Sequence, residues 1–151
     1  MSLVMDTKGN DLTYRILRSA SSVHHHRIWQ IACFCDESGR QPVVDYISTL
    51  TNLDDLHLIF HVVQRLSRVG LDLVDTKMAK HIDGPLFELR KDRHRILFAS
   101  HSKMNRFVLL STFYKDSQKT PLEEIERAQI YWNDYLNTGR CEIFTVPFEE
   151  S

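Results

Sequence analysis

The sequence predicts an α+β domain in which helices pack on one face of a small antiparallel sheet. Three observations predict it: two long runs with apolar residues at helical spacing, three β-prone runs in succession between them, and one β-prone run ahead of them all. A length of 151 residues is one domain's worth, at roughly 150 residues per domain. Hydrophobic residues at 42% and charged residues at 26% supply a core and exclude a disordered chain.

Residues 1–27 carry Ser19-Ala20-Ser21-Ser22 and His24-His25-His26 without sustained periodicity, and read as an extension of uncertain order. From Ile28 to Phe34 the β-prone Ile28, Trp29, Ile31 and Phe34 predict a strand that stops at Asp36-Glu37-Ser38-Gly39. Pro42 opens a helix over about 42–51. Leu56, Ile59, Phe60, Val63 and Leu66 form the stripe of a second helix over 53–69, with Gly70 as its stop. Strands are expected at 86–90, 94–100 and 106–114, as an antiparallel meander. Thr120-Pro121-Leu122-Glu123 reads as a capping box with proline at the first helical position, and Ile125, Ala128, Trp132, Tyr135 and Leu136 continue an apolar face to Gly139. The order is β-α-α-β-β-β-α, with a domain at 28–139. The acidic tail, 140–151, adds an edge strand through Ile143 to Phe148.

Apolar runs such as Ile31 to Cys35 fall far short of the ~20 residues that a membrane-spanning helix needs. Asp6, Lys8, Asn10 and Asp11 interrupt any apolar leader, and three cysteines are too few and odd for a disulfide framework. The expected location is therefore the cytoplasm, with free thiols and no membrane partner.

A net charge of -1 excludes nucleic-acid binding driven by overall charge. The distribution says more. Gly84 to Lys115 holds seven basic and two acidic residues, about +5, whereas Asp116 to Ser151 holds three basic and eight acidic, about -5. The two opposite halves raise the expectation that the acidic tail folds back over the basic segment as a phosphate mimic. Pairing Glu88 with Arg95 would also pair Phe87 with Ile96 and set Phe98 on the same side. One face is then apolar, and the other gathers Glu88, Arg90, Arg93 and Arg95, whose forked donors suit phosphate oxygens. A solvated face with a Glu88–Arg95 pair is the plainer alternative. In the following hairpin a four-residue connection sets Thr112 and Tyr114 beside Arg95, with Lys115 swinging in from the strand end; that register stays open.

Other constellations are weaker. His57 and His61 have helical metal-pair spacing but lie opposite the apolar stripe, and Cys33 with Cys35 lacks a second ligand pair, so no metal or cofactor is expected. There is no Gly-rich phosphate loop and no G-x-S-x-G.

Gly84-Pro85-Leu86-Phe87-Glu88-Leu89-Arg90, Arg95-Ile96-Leu97-Phe98, the run from Leu109 to Pro121 and Glu124-Ile125-Glu126-Arg127-Ala128 together resemble the RelE/HigB superfamily of bacterial toxins, in particular its phage-derived HigB-like branch. The resemblance spans Ile28 to Leu136. It implies a toxin of a type II toxin-antitoxin system, a metal-independent endoribonuclease that cleaves mRNA on the ribosome, neutralised by a cognate antitoxin, often of helix-turn-helix type. Carried over by motif, it makes Arg90, Arg95 and Lys115 the catalytic candidates, with Arg93, Tyr114 and Lys119 contacting RNA. The chain departs from the pattern at Asp116, where relatives commonly carry a second basic residue. The competing readings are a non-catalytic phage-derived protein that binds a partner through the same sheet face, and a structural phage protein.

Overall fold

In the computed structural model, residues 28–116 and 118–145 are described. Residues 1–27 and the tail beyond residue 145 lie outside that range, as does any strand reaching Phe148. Strand β1 (Gln30–Phe34) is followed by helices α1 (Pro42–Ser48) and α2 (Leu53–Val69). Then come strands β2 (Ala79–Asp83), β3 (Leu86–Lys91), β4 (His94–His101) and β5 (Arg106–Tyr114), helix α3 (Leu122–Thr138) and strand β6 (Cys141–Ile143). The class is α+β, and the expected order is present, with β2 added at one edge of the sheet and, at the other, an edge strand from the tail that begins earlier than expected, at Cys141.

Helix α1 begins at Pro42, whose missing N–H costs nothing in the first turn. Asn52 caps α2 by accepting from the Asp54 and Asp55 N–H groups at 2.8 and 3.3 Å. The capping box expected at Thr120 does not form. Pro121 is the N-cap, and the Thr120 hydroxyl is committed elsewhere, to Glu88.

Six strands form one mixed sheet in the order β2-β3-β4-β5-β1-β6, with β1 parallel to β5 and every other pair antiparallel. The expected sheet was wholly antiparallel with helices on one face. Instead α1 and α2 cover one face and α3 the other. Ile31, Cys33, Ile96, Phe98, Phe107 and Leu109 pack with Val43, Ile59, Val63 and Leu66. Phe34, Leu86, Leu97, Ala99, Val108 and Leu110 pack with Ala128, Trp132 and Tyr135. The physical reason lies in the strands, where Ile31 to Phe34 and Phe107 to Leu110 are buried without alternation, as strands covered on both faces must be.

The β3–β4 register also differs from expectation. Arg90 pairs with Arg95, Glu88 with Leu97 and Phe87 with Phe98, two residues from the expected pairing. A two-residue turn at Asp92-Arg93, with Asp92 at φ 54°, sets that register. A shift of two preserves the faces, so Glu88, Arg90 and Arg95 still share one side.

Strand β6 pairs with β1, and the Phe144 N–H donates to Ile31 O at 2.8 Å. Residues 141–145 therefore sit at the edge opposite β2 and β3. The described part of the acidic tail does not cover the arginines.

Candidate functional site

Arg90 and Arg95 face each other across the β3–β4 hairpin, and the carboxylate between them is Glu88, 1% exposed. Glu88 accepts from Arg90 Nε at 3.1 Å and from the Thr120 hydroxyl at 2.6 Å, and Arg95 Nε lies 3.8 Å away. A buried carboxylate of this kind is tolerated because its lone pairs are taken up and two guanidiniums balance its charge.

The two arginines are not equivalent. Arg90 remains part-exposed. Arg95 is 8% exposed, and its Nη1 donates to Asp92 O at 2.7 Å and His94 O at 3.0 Å, closing the turn. Burial lowers the Arg95 pKa, opposed by Glu88 and reinforced by Arg90 and Arg93. Its Nε is buried without a hydrogen-bond partner. Arg95 is thus committed to internal partners, while the Thr120 hydroxyl covers its neighbour Glu88.

Lys115 joins this pair through an irregularity of β5. Phe98 pairs with Leu109 but Leu97 with Ser111, so one extra residue enters the strand at a β-bulge. The bulge inverts every side chain beyond it. Phe113, rather than Thr112, lies beside Arg95, and Tyr114 lies beside His94 on the opposite side. Lys115 then follows Phe113 onto the arginine side, fixed by its N–H to Arg93 O at 2.7 Å and its carbonyl to Arg93 Nε at 2.8 Å. Burial, then Arg95 and Arg90, hold the Lys115 pKa below the ordinary lysine value, with Glu88 opposing and Lys80 adding. Lys80, opposite Glu88 on the edge strand β2, is a member of the cluster that sequence reasoning missed, because β2 has no alternation to mark it.

Arg93 and Tyr114 come together separately. Arg93 lies 5.7 Å above the centroid of the exposed Tyr114 ring. Lys119 is exposed at the start of the segment that brings Thr120 to Glu88.

Behind Tyr114 lies a second constellation. His94 is 6% exposed and packs edge-on against Tyr114 at 5.3 Å. Its Nδ1 is 2.8 Å from the Tyr46 hydroxyl, and its Nε2 is 3.8 Å from an Asp55 carboxylate oxygen. His94 shares its phase with Ile96 and Phe98, a signal in the sequence that it points inward. His57 and His61 stay exposed, and among the described residues no three His, Cys, Asp or Glu side chains gather as a metal site. Among the described residues the three cysteines are free, and no helix is long and apolar enough to cross a membrane.

Residues 50–133 match the family model described as Phage derived protein Gp49-like (DUF891). The chain belongs to this family. The Gp49-like match runs from α2 through most of α3, and so contains Lys80, Glu88, Arg90, Arg95, Lys115 and Thr120, while β1, Tyr46 and β6 lie outside it. A comparison with curated proteins gives no match. Among solved structures, a chain of the toxin-antitoxin complex RelBE2 from Mycobacterium tuberculosis is 15% identical, over 47% of this chain and 79% of its own, with a TM-score of 0.32. That likeness is too small to carry function across.

Proposed function

We propose that this Gp49-like protein is the toxin of a toxin-antitoxin pair, an endoribonuclease of HigB-like character that grips an RNA phosphate with Arg90, Lys115 and Lys80. The observation that carries the reading is the meeting of Arg90 and Arg95 of one hairpin with Lys115 from the end of β5 around one buried carboxylate, with the Lys115 pKa lowered by burial and then by the two guanidiniums. Arginines stay charged and suit the crowded phosphate. Lys115 is the member of the three able to give a proton to the leaving 5′-oxygen. Arg95 acts as a positioning residue, since its guanidinium is held by Glu88 and by the turn carbonyls. Arg93 and Lys119 extend the contact along the RNA. The working unit is residues 28–139; its substrate is mRNA on the ribosome in the cytoplasm, and its partner an antitoxin of helix-turn-helix type.

A second reading, a non-catalytic phage-derived protein that binds its partner through the same patch, is favoured by one observation, the commitment of Arg95 to internal partners. Induction of the chain alone in bacteria, with assay of the purified protein on RNA, separates the two. Growth arrest with RNA cleavage, relieved by Arg90→Ala and by Lys115→Ala, is the expected result. Lys115→Arg keeps the charge, so binding should persist while cleavage falls at least tenfold. Unimpaired growth with tight partner binding and no cleavage would establish the second reading.

A further inference from the structure

Tyr114 is unusual among the aromatic side chains. It is 56% exposed at the end of a central strand, yet it is braced on the inside by a buried histidine. An exposed aromatic ring has no reason of stability to be held so firmly. The brace itself is elaborate, since His94 is fixed from α1 by Tyr46 and faced from α2 by Asp55. The Tyr46 hydroxyl and His94 Nδ1 share a hydrogen bond of 2.8 Å, and burial, with Tyr114 and Asp55 nearby, pushes the Tyr46 hydroxyl pKa up. On the outside, the Arg93 guanidinium lies over the ring, and the next residue along the chain is Lys115. Aromatic rings with an adjacent guanidinium stack unpaired bases with little regard to sequence, because every base has a π-face.

We propose that Tyr114 and Arg93 form a stacking platform for one unpaired base at the end of β5, on the side of the sheet opposite to Arg90 and Lys115, so that the RNA passes around the strand end between base and phosphate, and that His94, held by Tyr46 and Asp55, is the positioning residue behind it. The inference rests on the RNA reading above and makes it more specific. The preferred substrate is a single strand, since a base inside a duplex cannot leave its stack without a cost.

The test is binding of the full chain to a short fluorescent RNA whose 2′-hydroxyls are replaced by hydrogen, so that it cannot be cleaved, with an abasic residue placed at each position in turn. Wild type should lose affinity on the order of tenfold at one abasic position, the scale of one base stacked on an aromatic ring. Tyr114→Ala should lose the same factor on intact RNA and become indifferent to the abasic position. Tyr114→Trp should retain the discrimination. Tyr46→Phe removes one hydroxyl, and should shrink the discrimination while leaving affinity for the abasic RNA unchanged, which general loss of stability would not do. A Tyr114→Ala protein that binds every RNA like wild type, or weakens on intact and abasic RNA alike, overturns the platform. Loss of binding in Arg90→Ala beside either result leaves the phosphate site standing. Absence of RNA binding by the wild type, with no effect of Arg90→Ala, removes both.

Discussion

At Gly70 the chain leaves α2 with φ 69° and ψ -150°, a region open to glycine and closed to other residues. Space forbids a side chain there as well. A Cβ would come within 2.8 Å of Trp29 Nε1, and Trp29 stacks on Phe107 in the core with ring centroids 4.5 Å apart. Gly70→Ala should therefore cost about 2–4 kcal/mol, the sum of backbone strain and a displaced indole. Urea unfolding followed by Trp fluorescence measures it, and a change below 1 kcal/mol would show that the helix end relaxes freely. The sequence marks Gly70 as a stop through periodicity alone, whereas the close approach of Trp29 comes from the residue preceding β1, some forty residues earlier, and no local pattern reports it.

At the scale of elements, the segment between β5 and α3 is a strut rather than a helix cap. Thr120 gives its hydroxyl proton to Glu88 Oε2, so α3 is anchored to β3 through one hydrogen bond on a buried charge. Thr120→Val preserves shape and removes the donor. It should cost about 1–3 kcal/mol, as expected for an unmet hydrogen bond to a buried charged acceptor, and the melting temperature should fall accordingly. Thr120→Ser should hold close to wild type, and an undisturbed Thr120→Val melt would mean that water replaces the hydroxyl. The capping-box pattern at Thr120 and Glu123 is genuine in sequence, but a carboxylate thirty-two residues earlier competes for the same hydroxyl and wins. The β-bulge belongs to the same class of hidden feature. Thr112, Phe113, Tyr114 and Lys115 each change face on a single inserted residue, and neither β-propensity nor alternation signals the insertion. What sequence did reveal, the helices, the three middle strands and the shared face of Glu88, Arg90 and Arg95, depends on periodicity alone. What stayed hidden, the edge strand β2 with Lys80, the parallel β1–β5 pairing and the second covered face, depends on contacts between distant segments.

Across the whole molecule the two layers are tied at the end of the sheet away from the arginines. The Tyr135 hydroxyl accepts from Arg106 Nη1 at 2.9 Å and lies 2.6 Å from His101 Nδ1, while Arg106 Nε reaches Gln30 at 2.6 Å. One side-chain network thus joins α3, β4, β5 and β1. The Tyr135 hydroxyl thus accepts from the arginine and shares a second hydrogen bond with His101 Nδ1, and a proton gained by the imidazole would add like charge beside Arg106. Burial, with Arg106 and Lys103 adding, holds the His101 pKa below its ordinary 6.5. The unfolded chain therefore binds a proton at this residue before the folded one does. Stability from the network is complete above about pH 6.5 and is lost as the pH falls from there through the folded-state value. The urea midpoint of the wild type should drop between pH 7.5 and pH 5.5. In His101→Asn, which cannot titrate, that drop should be smaller, although the variant starts from lower stability. Equal drops in the two proteins would place the pH sensitivity at another histidine and leave the His101–Tyr135–Arg106 network as packing only.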